Sequence, residues 1–329
     1  MDVNLKYFQK NVLITGGAGF IGSNLARTLL DLGSTVTVYD SFEADSGANH
    51  VNLEGIEDRI QLIQADIRDE AAMKAAVHEQ DFLFNLAGQM SHIGSMQDPF
   101  KDLYVNTVGQ LNLLEVCRQY NPNIRIVFAG TRQVYGRPKY LPVDENHLLT
   151  PLDNNGVSKR AGEMYHIVYH HVHGMATCVL RMTNTYGERM RIKDDMLTFI
   201  GWWIQRILTG NEIQIFGNGK QIRDFNHVSD VIQAMLLCAV SPVAEGKIYN
   251  LGGEPISLID LAQLLVEVNG SGSFVTVPFP EKRKRIDIGG YYGDYSLIKN
   301  EIGWQPQVSL QDGLKRMLAF YRENKVHYL

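Results

Sequence analysis

The amino-acid sequence predicts an α/β protein: a doubly wound parallel sheet with a smaller α/β domain attached. Three observations carry this. Short β-rich runs alternate with longer helical patterns through the first half of the chain. The runs are nearly continuous in apolar residues, as strands covered on both faces are. A glycine-rich turn, with Gly16, Gly19 and Gly22 in G-x-x-G-x-x-G, joins the first run to the first helical pattern.

Taken in order, N-V-L-I-T (Asn11–Thr15) reads as a strand, and the pattern from Phe20 reads as a helix that ends at Gly33. T-V-T-V-Y-D (Thr35–Asp40), I-Q-L-I-Q-A-D (Ile60–Asp66), F-L-F-N-L-A (Phe82–Ala87) and I-R-I-V-F-A-G (Ile124–Gly130) follow as strands. Ala176–Met182 and Lys247–Gly252 extend the same sheet. After about Tyr186 the alternation loosens into loops rich in glycine, proline and charge, and a helical pattern from Leu310 closes the chain. We therefore divide the chain into residues 1–185, the larger domain, and 186–329, the smaller, with a segment of about 227–256 packing back on the larger. No Pro/Ser-rich linker separates them, so the two should pack together.

Composition narrows the function. The net charge is −5 over 329 residues, with both signs mixed along the chain, so nothing points to nucleic acid or an anionic membrane as partner. The first ten residues lack the continuous apolar stretch of a secretory signal, and the apolar run from Phe199 is too short and charged to span a bilayer. Cys117, Cys178 and Cys238 stand far apart without metal-ligand spacing, which fits buried thiols in a reducing, cytoplasmic compartment. No metal site is expected. His166 and His170 share a helix face, but two imidazoles alone do not make a metal site.

Glycine at the first turn lets backbone N–H groups approach a pyrophosphate, and the following helix N-terminus adds partial positive charge. This is a Rossmann arrangement for a dinucleotide. Gly16, Gly19, Phe20, Ile21 and Gly22 form the expected cradle. Asp40 closes the second strand, where a carboxylate accepts from the adenosine ribose hydroxyls. Ser41 and Phe42 follow with no arginine for a 2′-phosphate, which favours NAD over NADP.

Several further motifs coincide, and the chain resembles the extended short-chain dehydrogenase/reductase family, within it the NAD-dependent nucleotide-sugar epimerases and dehydratases. The likeness runs nearly end to end. T-G-G-A-G-F-I-G is similar to the family's cofactor loop, A-D-I-R-D (Asp66, Ile67) to its adenine-side motif, and N-L-A-G-Q (Leu86, Ala87, Gly88) to its fourth-strand motif. V-N-T-V-G-Q-L-N-L-L-E resembles the helix whose asparagine, here Asn106, supports the active site. G-T-R-Q-V-Y-G puts Thr131 in the catalytic Ser/Thr place. L-R-M-T-N-T-Y-G, the F-G-N-G-K-Q-I-R-D-F-N-H-V-S-D stretch and I-G-W-Q-P complete the match. The resemblance implies NAD on the sheet and a nucleotide-diphosphate sugar of unspecified base between the domains. Asn184 would meet the diphosphate, Arg223 would hold the nucleotide, and an arginine of the K-R-K-R run would bind the diphosphate, with Arg285 chosen over Arg283. Ser91, His92 and Arg132 are further expected substrate contacts, Arg132 as partner of an acidic sugar or as a solvated loop residue. The family also implies a homodimer through a four-helix bundle built from the helices at about Val108–Tyr120 and at His166–His173.

One position departs. The family carries Y-x-x-x-K, in which the lysine charge lowers the phenol pKa and the tyrosinate takes the sugar hydroxyl proton. Here the segment reads N-G-V-S-K: Lys159 is present, and Asn155 fills the tyrosine position. Asparagine cannot take a proton. General acid–base catalysis contributes about a hundred- to ten-thousand-fold, so the loss matters. Three accounts are open: another base, Lys159 or His92; a natural subgroup whose chemistry starts elsewhere; or a substitution that traps a complex. After Thr131, Arg132 and Gln133 replace the carboxylates that dehydratases and sugar-acid decarboxylases of the family carry. Subtraction leaves an epimerase acting through transient oxidation to a keto sugar. A slow binding member, or a dehydratase or reductase with relocated acid–base groups, are the alternatives.

Overall fold

The computed structural model describes residues 4–44 and 46–329. Residues 1–3, part of the amino-terminal stretch read above, lie outside them. A seven-stranded parallel sheet forms the centre. Its strands are β1 (Asn11–Thr15), β2 (Thr35–Asp40), β3 (Ile60–Gln64), β4 (Phe82–Asn85), β5 (Arg125–Thr131), β6 (Thr177–Met182) and the edge strand Lys247–Asn250. From the first edge the order runs β3-β2-β1-β4-β5-β6 and then Lys247–Asn250, so the chain reverses direction between β1 and β4. That switch point opens a crevice at the carboxyl ends of the strands.

Both faces of the sheet are covered. Helices Phe20–Asp31 and Val228–Val240 bury Leu25, Leu29, Val231 and Met235 on one face. Helices Glu70–Val77, Gly109–Tyr120 and Asn154–His173 bury Met73, Leu113, Cys117 and Tyr169 on the other. Each such side chain contributes about 1.5–3 kcal/mol by leaving water. This explains why the strand sequences read as unbroken apolar runs.

Strands β3 and β4 end two residues before the sequence predicts. The chain leaves the sheet at Ala65 and Leu86, yet both amides still donate to the sheet, Ala65 to Asp40 O at 3.0 Å and Leu86 to Thr15 O at 3.0 Å. The predicted residues are held in place while their side chains turn to the crevice rim.

The second core lies between helices Phe199–Leu208, Leu258–Asn269 and Leu310–Glu323, around Trp203, Leu261 and Tyr321. The helix Val228–Val240 and the strand Lys247–Asn250 pack on the main sheet, and Ile298 and Trp304 join that first core too. Asp230 clasps the I-G-W-Q-P motif there: its carboxylate accepts from the Gln307 and Val308 amides at 3.1 Å each, and its carbonyl accepts from Trp304 Nε1 at 2.8 Å. Among the described residues no helix is long and apolar enough to cross a membrane.

Candidate active site in the interdomain crevice

A cavity of about 720 Å³ runs from the glycine turn to the second core. At its start Gly16 has φ +69°, and a Cβ there would stand 2.9 Å from Ala87 N and Leu86 O. A Cβ on Gly22 would stand 2.4 Å from Gly16 O. Only glycine permits this close return of helix onto turn. The helix Phe20–Asp31 also starts without a side-chain cap, unlike the helix Asn154–His173, which Asp153 caps. Its first-turn N–H groups thus remain free for an anion. Asp40 ties the turn together: Oδ2 accepts from Ala18 N and Oδ1 from Phe42 N, each at 3.0 Å. Burial pushes its carboxyl up from the usual range, and those amides oppose the shift.

Phe20, Ile21, Asp66, Ile67, Leu86, Ala87 and Gly88 line the same cavity. Asp66 is partly engaged already. Arg68 donates to both of its oxygens, at 2.8 and 2.6 Å, and holds the carboxyl below its ordinary range.

Asn106 stands one layer back. It is fully buried, lies in a widened helical turn (Tyr104–Val108) and exchanges hydrogen bonds with the backbone of Gln89, at 3.1 and 3.0 Å. Such wide turns recur at functional sites. Here the turn carries the side chain that fixes the loop after β4. Asn106 therefore acts on the cavity through Gln89 and does not line it itself.

At the reactive end, Thr131 closes β5, and Asn155 and Lys159 stand one helical turn apart beside it. Asn155 is 3 % exposed, and its Nδ2 donates to Gln89 O at 2.8 Å and to Asp102 Oδ2 at 3.0 Å. Lys159 Nζ lies 3.5 Å from Ala129 O and packs beneath Gly88, where an added Cβ would come within 2.5 Å of it. Burial lowers the Lys159 ammonium to about 8, and Asp102 opposes this in part.

Tyr135 is no replacement for the missing tyrosine. It is fully buried, donates to Asn250 Oδ1 at 2.6 Å, accepts from Arg181 Nη1 at 2.6 Å, and is pushed up to about 12 by burial. His166 is likewise a core residue. It stacks on Phe128 at 4.3 Å, and burial lowers it to about 4.

Elsewhere on the cavity wall, Ser91 Oγ donates to Met196 O at 3.1 Å. His92 Nδ1 stands 3.0 Å from Asp153 Oδ2. Arg132 is not a solvated loop residue. It is half-buried, donates to Asn184 Oδ1 at 2.9 Å, and lies over the Tyr291 ring at 5.2 Å. Arg223 is buried at the cavity wall, donates to Ile222 O at 3.0 Å and to Gly289 O, and is lowered to about 9, chiefly by burial.

The choice of Arg285 is corrected. Arg285 is exposed and absent from the cavity wall, whereas Arg283 lines it, paired with Asp195 Oδ2 at 2.7 Å. In the short helix Glu281–Lys284, side chains two residues apart diverge by about 200°, so one faces in and the other out. Trp202 also lines the cavity with Phe216 and Phe279. Sequence reading also missed Asp102, Asp153 and Gln89. Asp153 had a signal, an Asp three residues before Gly156 at a helix start, and Asp102 stands four residues before Asn106 on one helix side. Gln89 had none.

A family model described as GDP-mannose 4,6 dehydratase matches residues 13–317. The chain belongs to that family, a branch of the extended short-chain dehydrogenases/reductases. Family members similar to it include a putative UDP-glucose 4-epimerase of Methanocaldococcus jannaschii, 33% identical over 95% of this chain and 99% of the relative. A CDP-paratose 2-epimerase of Salmonella typhi is 32% identical over 93% of this chain and 97% of the relative. Among solved structures, the dTDP-glucose 4,6-dehydratase of Streptomyces venezuelae with NAD bound superimposes with a TM-score of 0.87 at 27% identity, over 96% of this chain and 98% of that one.

The seven-stranded parallel sheet is that of this enzyme family, and the chain is an enzyme with NAD as its cofactor. The cradle fits that group: its bare backbone would accommodate phosphates, and Asp40 lines the same cavity at the end of β2. When bound, NAD supplies a reversible hydride acceptor.

Proposed function

We propose that the protein is an NAD-dependent nucleotide-sugar epimerase that oxidises its sugar transiently to a keto intermediate, in a site that lacks the usual tyrosine. One observation carries the choice within the family. The two positions after Thr131 are Arg132 and Gln133, and both are engaged: Arg132 donates to Asn184 Oδ1, and Gln133 Nε2 donates to Asp153 Oδ2 at 2.9 Å. Loss of water from the keto sugar needs an acid and a base beside the ring, and neither residue is a carboxylate. Two similar relatives being epimerases supports the same reading.

In this reading the ligand is a nucleotide-diphosphate sugar. Asn184, Arg223 and Arg283 face its diphosphate, and the aromatic wall of Trp202, Phe216 and Phe279 receives the base. The Thr131 hydroxyl orients the reacting sugar oxygen. Lys159, fixed under Gly88, holds the nicotinamide ribose. Phe100, Tyr104, Val157, Val168 and Val172 are exposed on the helices over one sheet face. That apolar stripe supports a homodimer through those helices. Three unpaired buried cysteines support a cytoplasmic setting.

The test is product analysis. Purified protein is incubated with UDP-, dTDP-, GDP- and CDP-sugars in deuterated water and followed by NMR. The expected product is an inverted sugar without solvent deuterium. Loss of water, or deuterium entering the ring, overturns the epimerase reading in favour of elimination chemistry.

A further inference from the structure

We propose that His92, held by Asp153, is the catalytic acid–base residue that moves the sugar hydroxyl proton in place of the absent tyrosine. This rests on the epimerase reading and names the group that reading lacks.

The other nearby groups are committed elsewhere. Asn155 has no titrating atom, and its amide is spent on Gln89 and Asp102. Tyr135 is locked between Arg181 and Asn250 behind the sheet end. Lys159 is wedged between Gly88 and Ala129, and the epimerase reading gives it the nicotinamide ribose to hold.

His92 differs on each count. It lines the cavity with its side chain 38% exposed, while the Asp153 side chain behind it is 0% exposed. The 3.0 Å contact from Nδ1 to Asp153 Oδ2 is short but bent, and Nδ1 has no other partner among the described residues. Misaligned contacts of this kind are common in ligand-free sites and straighten when substrate is bound. Asp153 itself cannot drift. Oδ1 accepts from Gly156 N at 2.7 Å as the cap of the helix carrying Asn155 and Lys159, and Oδ2 accepts from Gln133 Nε2. Gln133 in turn donates its backbone N–H to Thr131 Oγ1 at 3.2 Å. One chain of contacts thus runs His92–Asp153–Gln133–Thr131 and ties the imidazole to the hydroxyl that orients the reacting oxygen. A carboxylate on Nδ1 fixes the tautomer with its proton there, which leaves Nε2, without a partner among the described residues, as the base. Asp153 is the positioning residue.

The step balances with NAD as oxidant. The carbon-bound hydrogen leaves as hydride to the nicotinamide ring, the hydroxyl proton passes to Nε2, and C–O becomes C=O. On return, hydride reaches the other face of the carbonyl and the imidazolium gives its proton back to the oxygen.

The experiment compares wild type, His92→Gln, His92→Ala and Asp153→Asn, the last keeping a good helix cap. The substrate is whichever of UDP-, dTDP-, GDP- or CDP-glucose the wild type inverts. We expect kcat of His92→Gln to fall by about a hundredfold or more with NAD affinity by calorimetry unchanged. Free imidazole should restore His92→Ala roughly tenfold and leave Asp153→Asn unrestored. Nitrogen-15 NMR of histidine-labelled protein with NAD and substrate bound should show the Nδ1–H tautomer at His92 in wild type and its loss in Asp153→Asn. A kcat within about threefold of wild type in His92→Gln, or an Nε2–H tautomer in wild type, overturns the proposal while leaving the epimerase reading intact. If wild type inverts none of the four sugars, the epimerase reading itself falls and takes this proposal with it.

Discussion

Asn155 Nδ2 donates to Asp102 Oδ2 at 3.0 Å, joining the position of the missing tyrosine to a fully buried carboxylate 53 residues earlier. The same carboxylate oxygen accepts from Asn106 Nδ2 at 3.0 Å, and Asp102 Oδ1 has no partner among the described residues. Asparagine is thus a working part of a buried polar cluster. We expect Asn155→Tyr to destabilise the fold by about 1–3 kcal/mol, because it removes a donor from a desolvated carboxylate. It should bring no gain in turnover. Denaturant unfolding and steady-state rates check this, and a clear rate gain at unchanged stability would show the site to be a damaged form of the tyrosine-bearing one.

Lys159 makes stability depend on pH in a definite direction. Its folded pKa of about 8 lies below the ordinary value of 10.5. The unfolded chain therefore binds more protons between those values, and the native state gains stability as pH rises through them. Below pH 8 the buried ammonium carries its full cost, roughly 3 kcal/mol. Ligand-free Lys159→Met should accordingly unfold at higher denaturant than wild type at pH 7, with the difference shrinking toward pH 10. A difference independent of pH would contradict the burial argument.

Gly22→Ala should lose both fold stability and cofactor. The new methyl meets Gly16 O and the Gly17 Cα, both backbone, so the turn itself must move. Overpacking of this kind costs about 1–3 kcal/mol. Calorimetry should show NAD affinity reduced at least about tenfold, since a shift of the turn costs 1.4 kcal/mol or more of phosphate contacts.

Asp40→Ala removes the acceptor for two amides, Ala18 N and Phe42 N, together with the proposed ribose contact. NAD affinity should fall several-fold, and titration calorimetry reads it directly.

The apolar stripe predicts an assembly. Light scattering should give twice the chain mass, and Val168→Asp, placing a charge at a side chain 43% exposed in the single chain, should give monomer. A monomeric wild type would remove the dimer from the proposal.

What the sequence disclosed follows from the range of the physics involved. β1 and β2 have the predicted ends, because alternation of strand and helix is a local pattern. The cradle was legible because bare backbone is needed at fixed spacing. The Asn155 position stood out against the family pattern, but its partner Asp102 did not, since no local rule connects residues so far apart. The His92–Asp153 pair was hidden for the same reason: the short helix His92–Gln97 and the start of the helix at Asn154 meet only in three dimensions. Arg283 and Arg285 were separable only once the helical phase of the K-R-K-R run was known.

The strand Lys247–Asn250 returns to the main sheet beside β6 after the chain has already built part of the second core. A protein cut at residue 185 would leave β6 with a naked row of peptide groups, the template on which foreign strands stack. The two halves are therefore not interchangeable modules. Attempts to graft a new sugar-binding half onto this nucleotide-binding half must carry that returning strand along, or the hybrid will clump before it can be assayed.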